Sequence, residues 1–328
     1  MAETSQNVDV LLKRAAAGDA AALAALRQRA EAGDTDAQHN LGFMYRYGLG
    51  VPQDGTQGAA WYRKAADQGN VGAQWILGEM YADGRVVAQD DAQAMAWYLK
   101  AADQGHTQAQ TDIGRMYENG RGVPQDDRQA AIWYRKAADI GFFLAQSLLG
   151  MMYFEGRGVP QDDRQAVAWY RKAADQGNAI AQFSLGAMYA DGRGVVQDDT
   201  QAVAWYRKAA NQGDADAQFN LGLMYSDGRG VSQDDTQAVA WFRKAADQGD
   251  AGAQYNLGVM YRGGRGVPQD EVLAYMWLNL AAARSSGDNQ KRRAEMRDKT
   301  SASLTPQQRA DGQRMAREWQ AAFEKRKQ

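Results

Sequence analysis

The chain repeats one pattern every 36 residues, seven times, without an insertion or deletion. Each copy is marked by a glycine that follows Leu or, once, Ile, at positions 42, 78, 114, 150, 186, 222 and 258. A tryptophan lies 19 residues after each of these glycines. Such strict periodicity predicts a solenoid, in which each repeat buries its apolar face only by stacking on its neighbours. Residues that recur in every copy are explained by architecture, so function is sought where the copies differ.

The composition is that of a folded chain without thiol chemistry. The 328 residues include 38 basic and 40 acidic side chains, and 45% are apolar, which is ample for a packed core. There is no cysteine, and the two histidines, His39 and His106, occupy different places in the repeat. We therefore expect no disulfide, no catalytic thiol, no metal site and no cofactor.

The sequence also limits the cellular location. No apolar run approaches the roughly 18 residues that a membrane span requires. The first residues, Met-Ala-Glu-Thr-Ser, lack a basic stretch followed by an apolar one. We expect a soluble, cytoplasmic protein without a membrane span. A mature form that had lost its signal peptide and gained Met1 would look the same, and that protein would be periplasmic or secreted.

Residues 181–213 serve as the type repeat, and their spacing predicts two helices. The first covers about 181–190, with Ala181, Leu185 and Met188 on one apolar face, and the second covers about 200–211. Gly186 lies on the apolar face, where it costs about 1 kcal/mol in helix propensity. We expect the close approach of a neighbouring helix to offset that cost.

The segments that flank these helices predict turns and caps. The Gly-x-Gly pair at 192–194 suits positive φ at the end of the first helix, and Gly213 suits the end of the second. Asp198 precedes Gln201 by three residues, a spacing typical of a capping box, and the pattern fails at Asp270, where Leu273 replaces Gln. The sequence thus predicts an all-α, right-handed α-solenoid superhelix of antiparallel helix pairs.

The consensus AQxxLGxMYxxGxGVxQDxxQAxxWYxKAAxQG resembles the Sel1-like repeat, a relative of the tetratricopeptide repeat with a longer loop. The resemblance covers residues 36–289. It implies a scaffold or adaptor that binds other proteins and has no activity of its own. We expect residues 1–35 to form N-terminal capping helices and 290–328 to form C-terminal capping helices with a basic tail. In that tail Met315, Trp319 and Phe323 form a stripe that would seal the last repeat.

Motifs that could carry chemistry have structural explanations. The Gly-rich loops recur in every copy and lack the Lys-Ser/Thr pair of a phosphate-binding loop, so helix-turn geometry accounts for them. The recurring Trp-Tyr pairs have the spacing of core residues rather than of a base-stacking surface. Carboxylate pairs such as Asp126-Asp127 are explained by capping.

Two other function classes remain as alternatives. The resemblance includes a cysteine-rich branch linked to β-lactam binding or hydrolysis, but this chain has neither cysteine nor a Ser-x-x-Lys segment. A cell-wall or β-lactam-binding enzyme is therefore the alternative, and we expect no catalytic residues. The tail at 291–328 has a net charge of +6 on a chain of net charge −2. Nucleic-acid binding through this tail is a third interpretation, and a solvated capping helix is the one we favour.

The copies differ along one stripe of the first helix. It comprises the residues two, six and nine positions after the recurring Ala of each copy (Ala37, Ala73 and so on). If first helices line the inner surface, as the resemblance implies, this stripe paves a concave groove that binds a peptide or amphipathic helix of a partner protein. The predicted binding residues are Trp75, Arg115, Met151, Phe154, Phe183, Phe219, Leu223, Tyr255 and Val259.

The stripe is mixed in charge in its N-terminal half and apolar from Met151 to Val259. Aromatic residues recur at its first position, and packing between repeats is an equally good explanation for Phe183, Phe219 and Tyr255. Met151 and Phe154 are stronger candidates, because their positions otherwise vary freely.

A second departure occurs between the third and fourth repeats. Ile140, Phe142 and Phe143 replace polar residues of the turn, and Phe142 stands where Asp or Asn caps the next helix in other copies. We predict an edge patch that docks a partner or a second copy of the chain. Local packing of these side chains over the adjacent helix ends is the alternative.

Overall fold

The computed structural model describes residues 8–327, which form helices joined by turns and loops and contain no strand. Residues 1–7, part of the expected N-terminal cap, lie outside the described range. The chain divides into two compact units, Met1–Gln161 and Asp162–Gln328. Every helix from the third to the sixteenth has 13 residues, so the period seen in the sequence is kept by the backbone.

The helices of the first unit are α1 (Val8–Ala16), α2 (Ala20–Glu31), α3 (Thr35–Tyr47), α4 (Gly55–Asp67), α5 (Val71–Asp83), α6 (Asp91–Asp103), α7 (Thr107–Asn119), α8 (Asp127–Asp139) and α9 (Phe143–Glu155). Those of the second unit are α10 (Asp163–Asp175), α11 (Ala179–Asp191), α12 (Asp199–Asn211), α13 (Ala215–Asp227), α14 (Asp235–Asp247), α15 (Ala251–Gly263), α16 (Glu271–Ala283), α17 (Gly287–Ser303) and α18 (Pro306–Lys327). The type repeat is α11 and α12, each slightly longer than predicted. Within each unit consecutive helices pack on one another, which confirms an all-α solenoid.

The glycine on the first helix marks the closest approach within a pair. A Cβ atom built on Gly186 would lie 2.7 Å from Cδ1 of Tyr206, on the second helix of the same repeat. Tyr206 is buried, and so is the recurring Trp205 beside it. The compensation predicted for this glycine is confirmed, as is the assignment of the Trp-Tyr pairs to the core.

Aspartate caps the second helix of every repeat. Asp198 accepts a hydrogen bond from the backbone N–H of Gln201 at 3.0 Å. Asp270 caps α16 in the same way, through the N–H groups of Val272 and Leu273 at 2.9 Å. The Asp-x-x-Gln spacing is absent at Asp270, but the cap remains, because the bond goes to the backbone and does not require the Gln side chain.

The loop between the paired helices is attached to the preceding repeat. In the type repeat, Arg193 forms an ion pair with Asp163, in the first turn of α10, at 2.8 Å. Equivalent pairs join Arg121 to Asp91, Arg157 to Asp127, Arg229 to Asp199 and Arg265 to Asp235. The second carboxylate of each Asp-Asp pair therefore holds the loop, a role that capping alone did not predict.

The predicted apolar stripe of α18 packs on the last repeat. The Trp319 ring lies 6.0 Å from Trp277 of α16 and 5.0 Å from Phe323. The Arg284 guanidinium lies 5.0 Å from the centroid of Trp319 and 4.3 Å from that of Phe323. These contacts cover the apolar face of α16, which supports the proposal that the C-terminal helices cap the array.

His106 is an unusual helix cap, and its chemistry predicts a dependence on pH. Its Nδ1 accepts the backbone N–H of Ala109 at 3.2 Å, whereas Asn70 caps the preceding first helix through its amide oxygen. Burial lowers the pKa of His106 below the ordinary 6.5. Protonation removes the accepting lone pair, and a pKa below the unfolded value means that stability falls as the pH drops through 6.5 and below.

We expect His106→Asn to lose less stability than the wild type between pH 7 and pH 5, by about 0.5–1 kcal/mol, because Asn remains an acceptor at both values. Urea denaturation of both proteins at the two pH values measures the difference. All other titrating groups are common to the pair and cancel. Parallel losses in the two proteins would show that the imidazole acceptor contributes nothing.

Candidate functional site

The first position of the stripe is a packing position in the second unit. The Phe183 ring lies 5.8 Å from Tyr206, and the Phe219 ring lies 5.9 Å from Phe242. A Cβ atom on Gly252 of the next repeat would lie 3.0 Å from the Phe219 ring. These aromatic rings therefore hold helices together, which supports the packing explanation for them.

Trp75 is engaged in the same way in the first unit. Its ring stacks at 5.3 Å on His106, the residue that caps the first helix of the next repeat. Its Nε1–H donates to a carboxylate oxygen of Asp112 at 2.9 Å. Asp112 is not among the residues predicted from the sequence, although it is the one charged residue at a repeat position whose other members are Asn40, Ile76, Leu148, Ser184, Asn220 and Asn256.

The later positions of the stripe carry partly exposed side chains. Met151 and Phe154 on α9 and Leu223 on α13 are half-buried, and Arg115 on α7 is exposed. Leu223 packs partly against the core of the last repeats. Other repeats have a charged residue at the position of Met151 and Leu223, namely Glu79 or Arg115. Packing between repeats therefore does not require an apolar side chain there.

The last stretch of the stripe borders a helix of the chain itself. The Arg292 guanidinium of α17 lies 5.9 Å from the Tyr255 ring. Met296 of α17 approaches Arg262, with 3.2 Å between its sulfur and Nη1. Val259 lines a surface depression that Met296 also borders. Tyr255 and Val259 are therefore less available to a partner than the sequence suggests.

The turn between α8 and α9 carries exposed apolar side chains. Ile140 is 62% exposed and Phe143 is 41% exposed. Phe142 is half-buried, with its ring 5.6 Å from that of Phe143. As the sequence predicts, Phe142 makes no side-chain cap on α9. The half-burial of Phe142 fits local packing and the exposure of its neighbours fits docking, so the docking role stays a prediction.

The described residues include no cluster placed to hold a metal ion, and both histidines have structural contacts. Within 8–327, no three His, Asp or Glu side chains lie close enough together to hold a metal ion. His39 packs against Tyr62, with 5.4 Å between ring centroids, and His106 is a cap. None of the helices over the same range is long and apolar enough to cross a membrane.

Comparison with solved structures identifies close relatives of this fold. A Sel1 repeat protein from Oxalobacter formigenes is 36% identical, with a TM-score of 0.68, over 90% of this chain and 83% of that one. A protective antigen present in uropathogenic Escherichia coli strains is 30% identical, with a TM-score of 0.57, over 95% of this chain and 91% of that one. A search of curated proteins finds no match.

The family model for the Sel1 repeat matches this chain seven times. The matched residues are 35–70, 71–106, 107–142, 144–178, 179–214, 215–250 and 251–286. The Sel1 repeat is a fold that generally mediates protein–protein interaction, and proteins built from it are typically non-enzymatic scaffolds. These matches cover well over half of the chain, and two solved relatives share its fold along most of their own length. The chain therefore belongs to the Sel1 repeat family.

Proposed function

We propose that the chain is a non-catalytic scaffold that binds a peptide or an amphipathic helix of a partner protein along the stripe of its first helices. The observation that carries this proposal is the partial exposure of apolar side chains, Met151, Phe154 and Leu223, at positions where other repeats have charged residues. Partly exposed apolar and aromatic side chains beside polar ones are typical of surfaces that anchor a partner.

The absence of catalysis is part of the same proposal. Neither histidine is placed as a base, because His39 packs on a ring and the Nδ1 of His106 accepts a backbone N–H. The aspartates that recur in pairs are occupied as helix caps and as partners of loop arginines, as in the case of Asp162 and Asp163. The chemistry that the described residues offer is recognition.

A pull-down from the native source tests the stripe. We expect Met151→Asp, Phe154→Asp and Leu223→Asp together to abolish the capture of a protein that the wild type retains, since each places a charge against an apolar contact. The matched control is Ile180→Asp with Val196→Asp, which changes apolar residues that are 61% and 88% exposed and lie off the stripe. Circular dichroism establishes that each variant keeps its helical content.

A protein held by the wild type and the control but lost with the stripe variant would support the groove and identify the partner. Equal capture by all three proteins would contradict binding at the stripe. It would direct attention to the edge patch at Ile140, Phe142 and Phe143, including association with a second copy of the chain. No capture by any of them would contradict the scaffold function in that source.

A further inference from the structure

A polar pocket of about 230 Å³ lies between the first helices of the second and third repeats, within the first unit. Its walls come from α5 and α7, its floor from Tyr98 on α6, and one edge from Arg121 in the loop that follows α7. The volume is below the roughly 300–1,000 Å³ of pockets that take drug-sized ligands, and it suits a single side chain.

Tyr98 presents a hydroxyl group without a hydrogen-bond partner to this pocket. The residue is only 4% exposed, lines the pocket and makes no hydrogen bond to any described residue. The hydroxyl oxygen is not sealed from solvent, unlike that of Tyr62, so inside the pocket it is available to a solvent molecule or to an atom of a ligand.

The next repeat shows what fills the same place. There the hydroxyl of Tyr134 donates to Glu118 at 2.6 Å, and Arg157 binds the other oxygen of Glu118 at 2.7 Å. Ala82 stands where Glu118 would be, 16 residues before its tyrosine. The pocket thus exists because Ala82 is small, and its tyrosine lacks an internal partner for the same reason.

The pocket has more negative charge than its own cations neutralise. Arg121 is committed to Asp91 at 2.6 Å and to the carbonyl oxygen of Ala82 at 2.7 Å. Glu79 has only a long contact to Arg46, at 3.7 Å. Burial, with Asp112 nearby, raises the pKa of Glu79. This carboxylate, whose side chain is 34% exposed, is partly desolvated and has no cation closer than 3.7 Å.

Asp112, on the opposite wall, is in a similar state. It accepts the indole N–H of Trp75 at 2.9 Å, and Arg115 approaches no closer than 3.6 Å. Burial also raises the pKa of Asp112. Two under-neutralised carboxylates that face each other across a narrow pocket favour a guest that carries positive charge and several N–H donors.

We propose that this pocket, between Glu79 and Asp112 and above Tyr98, binds a lysine or arginine side chain of the partner protein. This binding rests on the proposed scaffold function, which supplies the partner. The cationic head would donate to both carboxylates and to the Tyr98 hydroxyl oxygen. Glu79, Asp83 and Asp112 all line the pocket, but no three such side chains among residues 8–327 are placed to hold a metal ion. The corresponding positions of the second unit are Ala187, Asn220 and Leu223, which lack the charge.

N-acetyl-lysine methylamide and its uncharged analogue N-acetyl-norleucine methylamide are the probes that test this site on the full chain. The indole N–H resonance of Trp75, which donates to Asp112, reports binding by heteronuclear NMR. We expect a saturable shift with the lysine probe and none with norleucine. Glu79→Gln keeps the shape of the side chain and should weaken lysine binding about tenfold, the size expected for losing one charged hydrogen bond.

Ala82→Glu is the second variant, because it copies the arrangement around Glu118 and should fill the pocket and abolish the shift. Asp227→Asn, which removes an exposed carboxylate of the second unit, is the matched control and should bind as the wild type does. No saturable shift, an equal response to norleucine, or unchanged binding by Glu79→Gln would overturn the proposal. If the pull-down loses the partner only with the stripe variant, but the wild type does not bind the lysine probe, the scaffold function is supported and this pocket is rejected.

Discussion

Gly186→Ala is expected to lower the free energy of unfolding by about 2 kcal/mol, although alanine is the better helix former by about 1 kcal/mol. The new methyl group would lie 2.7 Å and 2.9 Å from two ring carbons of Tyr206, well inside contact distance. Tyr206 is only 3% exposed, so its ring cannot swing out into solvent. Relief therefore requires α11 and α12 to separate, which loosens the core of the repeat.

Gly263→Ala is the matched control, because it is also a helical glycine but its Cβ atom would have no neighbour closer than 3.7 Å. We expect it to leave the stability unchanged or to raise it by about 0.5 kcal/mol. Chemical denaturation followed by circular dichroism measures both. If the two substitutions had the same sign and size, helix propensity alone would explain these glycines and the close approach would be irrelevant.

The period of the sequence predicted most of this fold because it records local rules. Helix length, the capping aspartates and the glycine at Gly213, which has a φ of 96°, each depend on residues adjacent in sequence. The close approach at Gly186 was predictable because glycine, a poor helix former, stands in the middle of a sequence that otherwise favours a helix. The period does not predict the ion-pair partner of each loop arginine, because Arg193 and Asp163 are 30 residues apart in the sequence.

The candidate site was less predictable, for a related reason. The position of a residue on a helix face says which way it points, and it does not say whether the neighbouring repeat covers it. The sequence predicts Phe219 in the groove, with packing between repeats as the alternative, and its close approach to Gly252 of the next repeat supports the alternative. The pocket at Tyr98 depends on a missing side chain, Ala82, and on charges from two different repeats. Only the three-dimensional arrangement combines these.

The loop glycine of the type repeat is under a stricter constraint than the helical one. We expect Gly194→Ala to lower the free energy of unfolding by about 3 kcal/mol, the sum of a left-handed backbone penalty and a steric clash. The φ of Gly194 is 69°, a value that L-residues avoid. A Cβ atom there would also lie 2.5 Å from the carbonyl carbon of Asp163 and 2.9 Å from the amide nitrogen of Arg164. Backbone atoms at a helix start cannot rotate away, so the loop itself would have to move.

Gly177→Ala separates the two contributions. Its φ of 92° carries a similar backbone penalty, but a Cβ atom at Gly177 would meet nothing within 4 Å. We therefore expect a loss of about 1 kcal/mol there, against about 3 kcal/mol at Gly194. Urea denaturation of the two variants measures the gap, and Arg193→Ala serves as a further comparison, because it removes the ion pair to Asp163 without adding bulk. Equal losses of stability at Gly194 and Gly177 would mean that the positive φ alone selects glycine. A larger loss at Gly194 would mean that stacking of the loop on the preceding repeat fixes the 36-residue period itself.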